Sequence, residues 1–402
     1  MTSRIKTFIC LAIILVLMNG IICASSEANQ PEIRTRTFAV PRINKVNVRR
    51  EPFGSIRGKI DKNDSVYIID TVEKRNIVWC RVIVFEDGWY QAYIQADYLI
   101  PLHDVADDAV KIVGGDNHAL LLRADGTCLA LGSAWRYAMN ISGWKNVRDI
   151  AAPRFSSVAL LGDGSVRISD PDGAGVSEEV LDWKNVSSIH SMSMVIVEGL
   201  TGIDRQGRPL TDRSWESYME VPVPDWTDLR QFMHNGWIGA GITESGVFHL
   251  VVSAKGQETE PEACADVLHA EGTGNVRQFA LGEACLTLLM NDGTVRFYGK
   301  NEYGAKECES WTDITQIAAR KHYVLGLRAD GSVVMAGKMV SPDCHPFVPA
   351  EGIHADTYVN FQEEGLLNSW DDMIYIDATD TFILGIHADG SPDMIGAYRY
   401  NP

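Results

Sequence analysis

The amino-acid sequence predicts an all-β fold, and three observations carry that reading. An Asp-Gly dipeptide recurs behind an apolar run, at Asp125–Gly126, Asp163–Gly164, Asp292–Gly293, Asp330–Gly331 and Asp389–Gly390, and Gln206–Gly207 and Ser245–Gly246 fill the gap. Apolar residues stand in fixed phase with these glycines: Ala109, Val147, Leu229, Val276, Ile314 and Met373 lie seventeen residues before them, and Ile112, Ile150, Phe232, Phe279, Ile317 and Ile376 three residues further on. A Trp followed two residues later by Asn or Asp opens most units, at Trp144/Asn146, Trp183/Asn185, Trp226/Asp228, Trp311/Asp313 and Trp370/Asp372. Asn275 keeps the polar position in the unit that lacks the Trp.

The chain begins with a targeting pattern. Arg4 and Lys6 precede an apolar run from Phe8 to Met18, and small residues follow around Ala24 and Ser25. This predicts a secretory signal peptide over residues 1–24. Cys23 is a weaker candidate for lipid attachment, because Ile22 stands where lipoprotein signals place a small residue. No later stretch approaches the ~20 apolar residues of a membrane span. Residues 25–36 are polar and read as a tether.

Residues 37–102 alternate apolar and polar side chains in strand fashion and form a first, small β unit. Residues 104–402 hold the repeats. Asp-Gly between apolar stretches predicts a hairpin whose two central positions both take positive φ. Each unit then reads as a strand, a second strand such as Tyr323–Arg328, the turn, and a third strand such as Ser332–Ala336. Spacings between turn glycines run from 38 to 59 residues, and the third unit carries four extra residues before its turn. One such unit cannot bury both faces alone, so radial packing of seven predicts a seven-bladed β-propeller, with a linear solenoid as the alternative.

The stretches Ala109 to Gly132 and Trp311 to Gly337 resemble the regulator of chromosome condensation repeat in its bacterial form. The resemblance spans residues 104–402 and implies a seven-bladed propeller. His118 matches the family's histidine before the second strand, whereas in the sixth unit Tyr323 takes that place and His322 comes one residue early. Secreted bacterial relatives are protein-binding scaffolds, one group inhibiting β-lactamases, and fold alone does not transfer function. Residues 37–102 resemble a bacterial SH3-like domain over Val46–Pro52, Lys62–Ile68, Trp79–Val82, Gly88–Tyr90 and Asp97–Leu99. That resemblance implies binding to cell-wall peptides or glycans, with Trp89, Tyr90 and Tyr98 as candidate contacts. The charged stretch Glu73–Arg75 departs from the pattern.

The net charge of −17, or −19 without Arg4 and Lys6, repels phosphate backbones and anionic lipids and argues against nucleic-acid partners. Motifs for zinc proteolysis, serine hydrolysis and phosphate cradling are absent, so no catalytic residue, metal or cofactor is expected. Cys344, His345, His354 and Asp356 cluster in the long insertion of the sixth unit but lack ligand spacing. The six cysteines beyond residue 24 show no disulfide framework, and Cys80 and Cys285 read as buried hydrophobes. Loop aromatics that break the repeat, Trp135, Tyr137, Trp215, Tyr218 and Tyr303, are the propeller's binding candidates. Residues 256–271 read as an acidic loop. The expectation is therefore a monomeric, non-catalytic, secreted or envelope-associated protein that binds a protein or a glycan. A secreted enzyme inhibitor and a carbohydrate-active enzyme are the alternatives.

Overall fold

The computed structural model describes residues 35, 37–62, 64–84, 90–115, 118–132, 140–153, 156–169, 176–194, 197–212, 225–340 and 358–396. Among them the chain is mostly β. Among the described residues no helix is long and apolar enough to cross a membrane.

The first strands are β1 (Thr37–Pro41), β2 (Val46–Arg49), β3 (Ile56–Ile60), β4 (Val66–Lys74), β5 (Ile77–Val84), β6 (Tyr90–Gln95) and β7 (Leu99–Pro101). The stretch Glu73–Arg75, unexplained by the resemblance, extends the β4–β5 hairpin. Its turn is made by Arg75 and Asn76, both left-handed at φ 56° and 60°.

The repeats form seven antiparallel meanders. Unit one is β8 (Ala109–Gly114), β9 (His118–Arg123) and β10 (Cys128–Gly132). Unit two is β11 (Val147–Ala151), β12 (Val158–Leu161) and β13 (Val166–Ile168). Unit three is β14 (Val186–Met194), β15 (Val197–Asp204) and β16 (Pro209–Thr211). Unit four is β17 (Leu229–His234), β18 (Ile238–Thr243) and β19 (Phe248–Val252), and two short helices follow, α1 (Ala254–Thr259) and α2 (Pro261–Leu268). Unit five is β20 (Val276–Leu281), β21 (Cys285–Met290) and β22 (Val295–Gly299). Unit six is β23 (Ile314–Arg320), β24 (Tyr323–Arg328) and β25 (Val333–Gly337), with a separate pair β26 (Met339–Val340) and β27 (Tyr358–Val359) after it. Unit seven is β28 (Met373–Ala378), β29 (Phe382–His387) and β30 (Pro392–Gly396).

The turns differ from the sequence expectation. Only the glycine is left-handed, from Gly207 at φ 72° to Gly331 at 87°, and Asp125 and its counterparts are not. Gly126 N donates to Arg123 O and Arg123 N to Thr127 O, which defines a three-residue loop with a glycine bulge. The aspartate serves as an acceptor instead. Asp125 Oδ1 takes Thr127 N at 2.8 Å and Thr127 Oγ1 at 2.6 Å, and Asp163, Asp292, Asp330 and Asp389 repeat the arrangement.

These glycines also join the units. The first residue of each unit's first strand donates its N–H to the turn glycine of the preceding unit: Val147 to Gly126, Val186 to Gly164, Leu229 to Gly207, Val276 to Gly246, Ile314 to Gly293 and Met373 to Gly331. Ala109 N donates to Gly390 O at 3.0 Å, so the cycle closes. A side chain at the turn would block this approach. A Cβ on Gly207 would stand 2.5 Å from Leu229 N, and one on Gly390 2.4 Å from Asp107 O. The Asn/Asp column that follows the tryptophans supplies the left-handed residue leading into the first strand of the unit, with φ 56–64° at Asn146, Asn185, Asp228, Asn275 and Asp313.

Second strands are sandwiched between neighbouring units and buried along their length, β21 and β29 entirely. That is why they read as continuous apolar runs. Between units four and five, Ile238, Ala240 and Ile242 pack with Phe279, Leu286 and Leu288. At the closing seam, Phe38, Tyr67 and Leu102 join Ile112, Leu121, Phe382 and Leu384. Each such side chain stabilises the fold by roughly 1.5–3 kcal/mol.

Unit seven does not end at β30. Thr37 of β1 pairs with Ile395, and β1 also pairs with β4 and β7, so one ten-stranded sheet runs from β28 to β3. The region read as an acidic loop holds α1 and α2, and three of its carboxylates are engaged: Glu260 with Lys300, Glu271 with His249 and Leu250 N, and Asp266 with Gly299 N. Cys80, Cys128, Cys264, Cys285 and Cys308 are free thiols.

Candidate functional site

Of the sequence candidates, Trp89, Trp135, Tyr137, Trp215 and Tyr218 lie outside the described residues, as do Cys344, His345, His354 and Asp356. The remaining three sit on different elements. Tyr303, in the connector after β22, packs against the His322 ring at 4.5 Å between centroids. Tyr90 lies under the Arg57 guanidinium, 4.1 Å from the ring centroid. Tyr98 is 42% exposed. His118, matched to the family histidine, is buried at the start of β9, and burial lowers its pKa to about 4.

Sequence reasoning missed a cluster on the first β unit. Phe53, in the β2–β3 connection, has φ 63° and is 39% exposed. Positive φ is costly for a bulky residue, on the order of 1–3 kcal/mol. The ring is held by an edge contact to Trp79 at 5.2 Å and by the Arg75 guanidinium 4.7 Å above it. Beneath it, Trp79 Nε1 is buried without a hydrogen-bond partner, an orphan donor that costs free energy in the folded chain. Val72, opposite Trp79 in the β4–β5 ladder, is exposed as well. The stretch Val46–Pro52 that carries the resemblance stops one residue short of Phe53. No periodic pattern marks it.

Charge divides between the two regions. Residues 37–102 carry ten Lys and Arg against eight Asp and Glu, a net of +2, whereas residues 103–402 carry 22 against 43, a net of −21. The small unit therefore carries the charge sign that does not repel an anionic surface, unlike the repeats.

A second set of groups lies on the first strand of each unit. Each of these strands bulges between its first and third residues. The residue after each bulge is Lys111, Asp149, Ser188, Gln231, Gln278, Gln316 or Tyr375 in units one to seven. In units four to six this residue clamps the next unit. Gln278 Nε2 donates to Ile317 O and its Oε1 accepts from Ile317 N, both at 2.9 Å. Gln231 does the same to Phe279, and Gln316 to Ile376.

Elsewhere the position is chemically different. Lys111 Nζ pairs with Asp149 Oδ1 at 2.5 Å, and Asp149 Oδ2 accepts from Ile189 N. Two residues past Tyr375, Asp377 accepts from Gly114 N at 3.1 Å, and four residues past Gln316, Arg320 Nε donates to Ala378 O. Burial opposes the charge on Asp149, but Lys111 and His190 hold its carboxyl below the usual range. Burial raises the Asp377 carboxyl, against the pull of Arg320. Burial and Lys111 lower His190 to about 4, so its imidazole is neutral. The repeat register could have found this column, since it lies fifteen residues before the turn glycine in six units.

No protein-family model matches the chain, and no curated protein matches it. Among solved structures it is similar to the CRINKLY WD40 ectodomain of the Arabidopsis thaliana receptor kinase ACR4, at 13% identity, covering 72% of this chain and 95% of that one with a TM-score of 0.47. It is also similar to BamB from Moraxella catarrhalis (9%, 89% and 95%, TM-score 0.36) and to yeast RCC1 (Prp20) bound to Kap60 (12%, 82% and 66%, TM-score 0.25). The architecture itself rests on the hydrogen bonds that join the meanders.

Proposed function

We propose that the chain is a secreted, non-catalytic, monomeric binding protein. In this reading the seven meanders are the blades of one propeller of regulator of chromosome condensation-type repeats. Residues 37–102 are an SH3-like barrel that contacts the cell envelope, and the propeller loops take a protein or glycan partner. The observation that carries it is the Arg75–Phe53–Trp79 cluster. A strained, exposed aromatic ring, a guanidinium stacked on it and an unpartnered indole N–H stand together on the one region with a net positive charge. Aromatic and Arg side chains dominate binding hot spots because they bury large area and donate directionally. The neighbouring acidic units keep the rest of the molecule off an anionic wall.

The test is co-sedimentation of the chain from residue 25 onward with purified bacterial cell walls. The wild type is expected in the pellet. Phe53→Ala and Arg75→Glu should each weaken retention by roughly tenfold, the equivalent of 1.4 kcal/mol. A wild-type protein that stays in the supernatant overturns the envelope reading.

A further inference from the structure

We infer that the Arg75–Phe53–Trp79 cluster binds the C-terminal carboxylate of a short peptide whose last side chain is apolar. This rests on the reading of that cluster as a binding site and adds the chemistry of what it takes.

The Phe53 ring touches both of its partners, Trp79 at 5.2 Å between centroids and the Arg75 guanidinium at 4.7 Å, so an indole and a cation flank one ring. Trp79 is 2% exposed, and its Nε1 has no hydrogen-bond partner. Buried donors are normally paired, and one left over calls for an acceptor from outside the chain. Contact with a ring draws on the charge of Arg75 and leaves its planar fork of N–H donors to recognise an anion. A carboxylate has two oxygens, one for the indole N–H and one for the guanidinium, and both hydrogen bonds are charge-assisted.

The surroundings are apolar. Five of the eight exposed large hydrophobic residues, Ile43, Phe53, Ile56, Val72 and Tyr98, lie on residues 37–102. Val72 stands opposite Trp79 in the β4–β5 ladder and shares its face, and Phe53 and Val72 are 39% and 38% exposed. An apolar side chain next to the carboxylate packs on these two, whereas an inorganic anion gains nothing from them. On the other side of Trp79, Gln95 is its partner in the β5–β6 ladder. The Gln95 amide can donate to and accept from the preceding peptide bond, which favours a peptide as the carrier.

Phe53 covers the indole, and the backbone around it is pinned. Gly54 N donates to Glu51 O at 2.8 Å, Arg50 N to Ser55 O at 3.1 Å and Arg49 Nη1 to Gly54 O at 2.6 Å. Turning the Phe53 side chain about its Cα–Cβ bond uncovers the indole N–H without unfolding the loop. The turned ring then packs on the ligand.

The experiment follows the indole N–H resonances of the chain from residue 25 onward by NMR during titration with acetyl-Gly-Gly-Leu. One resonance, absent from Trp79→Phe, should move downfield and saturate. The same tripeptide as its C-terminal amide should bind roughly tenfold more weakly. Arg75→Asn should weaken the acid by a similar factor, since asparagine keeps the left-handed turn at φ 56° and loses the cation. Lys59→Gln, which removes a charge from the same unit outside the cluster, should leave binding unchanged. Should Trp79→Phe fail to fold, the amide and Arg75→Asn still decide. The inference is overturned if no indole resonance moves, if acid and amide bind alike, or if Arg75→Asn binds as the wild type does. Inorganic phosphate or octanoate moving the same resonance as strongly also overturns it, in favour of a general anion or fatty-acid site. A chain that pellets with cell walls but ignores the tripeptide overturns this inference alone. Tripeptide binding by a chain that stays in the supernatant overturns the envelope reading alone.

Discussion

The six-membered ring of Trp311 lies on the backbone of Gly326, where a Cβ would stand 2.8 Å from Cζ3. The relationship recurs. Trp183, Trp226 and Trp370 lie 3.2–3.3 Å from the Cβ positions of Gly202, Gly241 and Gly385, each glycine five residues before its turn glycine. Units one and five lack the Trp and hold Leu121 and Leu288 at that place. A large indole and a missing side chain thus fill the same volume that a leucine fills alone. Gly326→Ala is expected to destabilise the chain by about 1–3 kcal/mol through overpacking. Combining it with Trp311→Leu should recover part of the loss. A double-mutant cycle in denaturant measures the coupling, and strict additivity would show that the ring and the glycine do not compete for space.

The glutamine clamps set a second expectation. Gln278→Leu preserves bulk but leaves Ile317 N–H and C=O without partners at the seam. The cost should be about 1–3 kcal/mol. Gln278→Glu keeps the acceptor for Ile317 N and loses the donor, facing a carbonyl with an anion, so it should cost at least as much near neutral pH. Equilibrium unfolding of both variants checks this. The same pair of substitutions at Lys306, outside the seams, should have little effect.

His387 ties the last unit together and makes its stability depend on pH. Its Nδ1 meets Asp372, and its Nε2 lies 3.6 Å from Asp393. Asp393 also accepts from Trp370 Nε1 at 3.0 Å and from Thr37 Oγ1 of β1. The Asp393 carboxylate beside Nε2 chiefly raises His387 to about 9, with burial opposing the shift and Asp372 adding to it. A raised pKa favours the folded state while the group is protonated. The contribution is therefore complete below the unfolded value of 6.5 and is lost as pH rises through about 9. Its size is on the order of 3 kcal/mol. Denaturant midpoints at pH 6 and pH 9.5 should differ in the wild type, and His387→Gln should flatten that window. An equal slope in both proteins would assign the pH dependence to other groups.

Much of the repeat fold was legible because one local conformation recurs. The Asp-Gly turns, the left-handed Asn/Asp column and the buried second strands each impose a residue type at a fixed phase, and repetition turns weak local preferences into a visible register. The turn type was misread because Asp-Gly also suits a three-residue loop, in which only Gly126 needs positive φ and Asp125 is used as an acceptor. The exchange of Trp and Gly for Leu, and the glutamines in the bulge column, stood in the same register unread. What no register could show is contact over a long separation. Thr37 meets Asp393 across 356 residues, and Phe53 is defined by a backbone angle and by two neighbours from another hairpin. The helices Ala254–Thr259 and Pro261–Leu268 have no α-helical counterpart among the described residues of the other units, and the partners of the acidic side chains here, on β19 and β22, are not marked by any repeat position.

The closing strand makes the two regions one cooperative body. Phe38 stacks edge-on against Tyr67 of β4 at 5.3 Å and against Phe382 of unit seven at 5.7 Å. Tyr67 Oη donates to Gly396 O at 2.8 Å. A chain beginning at residue 104 would leave the outer edge of β30 unpaired and the closing core open, a template for edge-to-edge association. Removing residues 37–102 is therefore expected to give aggregation rather than a stable ring. In the full chain, Phe38→Ala should cost about 3–5 kcal/mol, as for other buried aromatics. Because the lost contacts belong to both regions, far-UV circular dichroism and tryptophan fluorescence should report one shared, lowered midpoint. Two separated transitions, with only the first moved by Phe38→Ala, would show instead that the small unit folds on its own and that β1 merely rests against the ring.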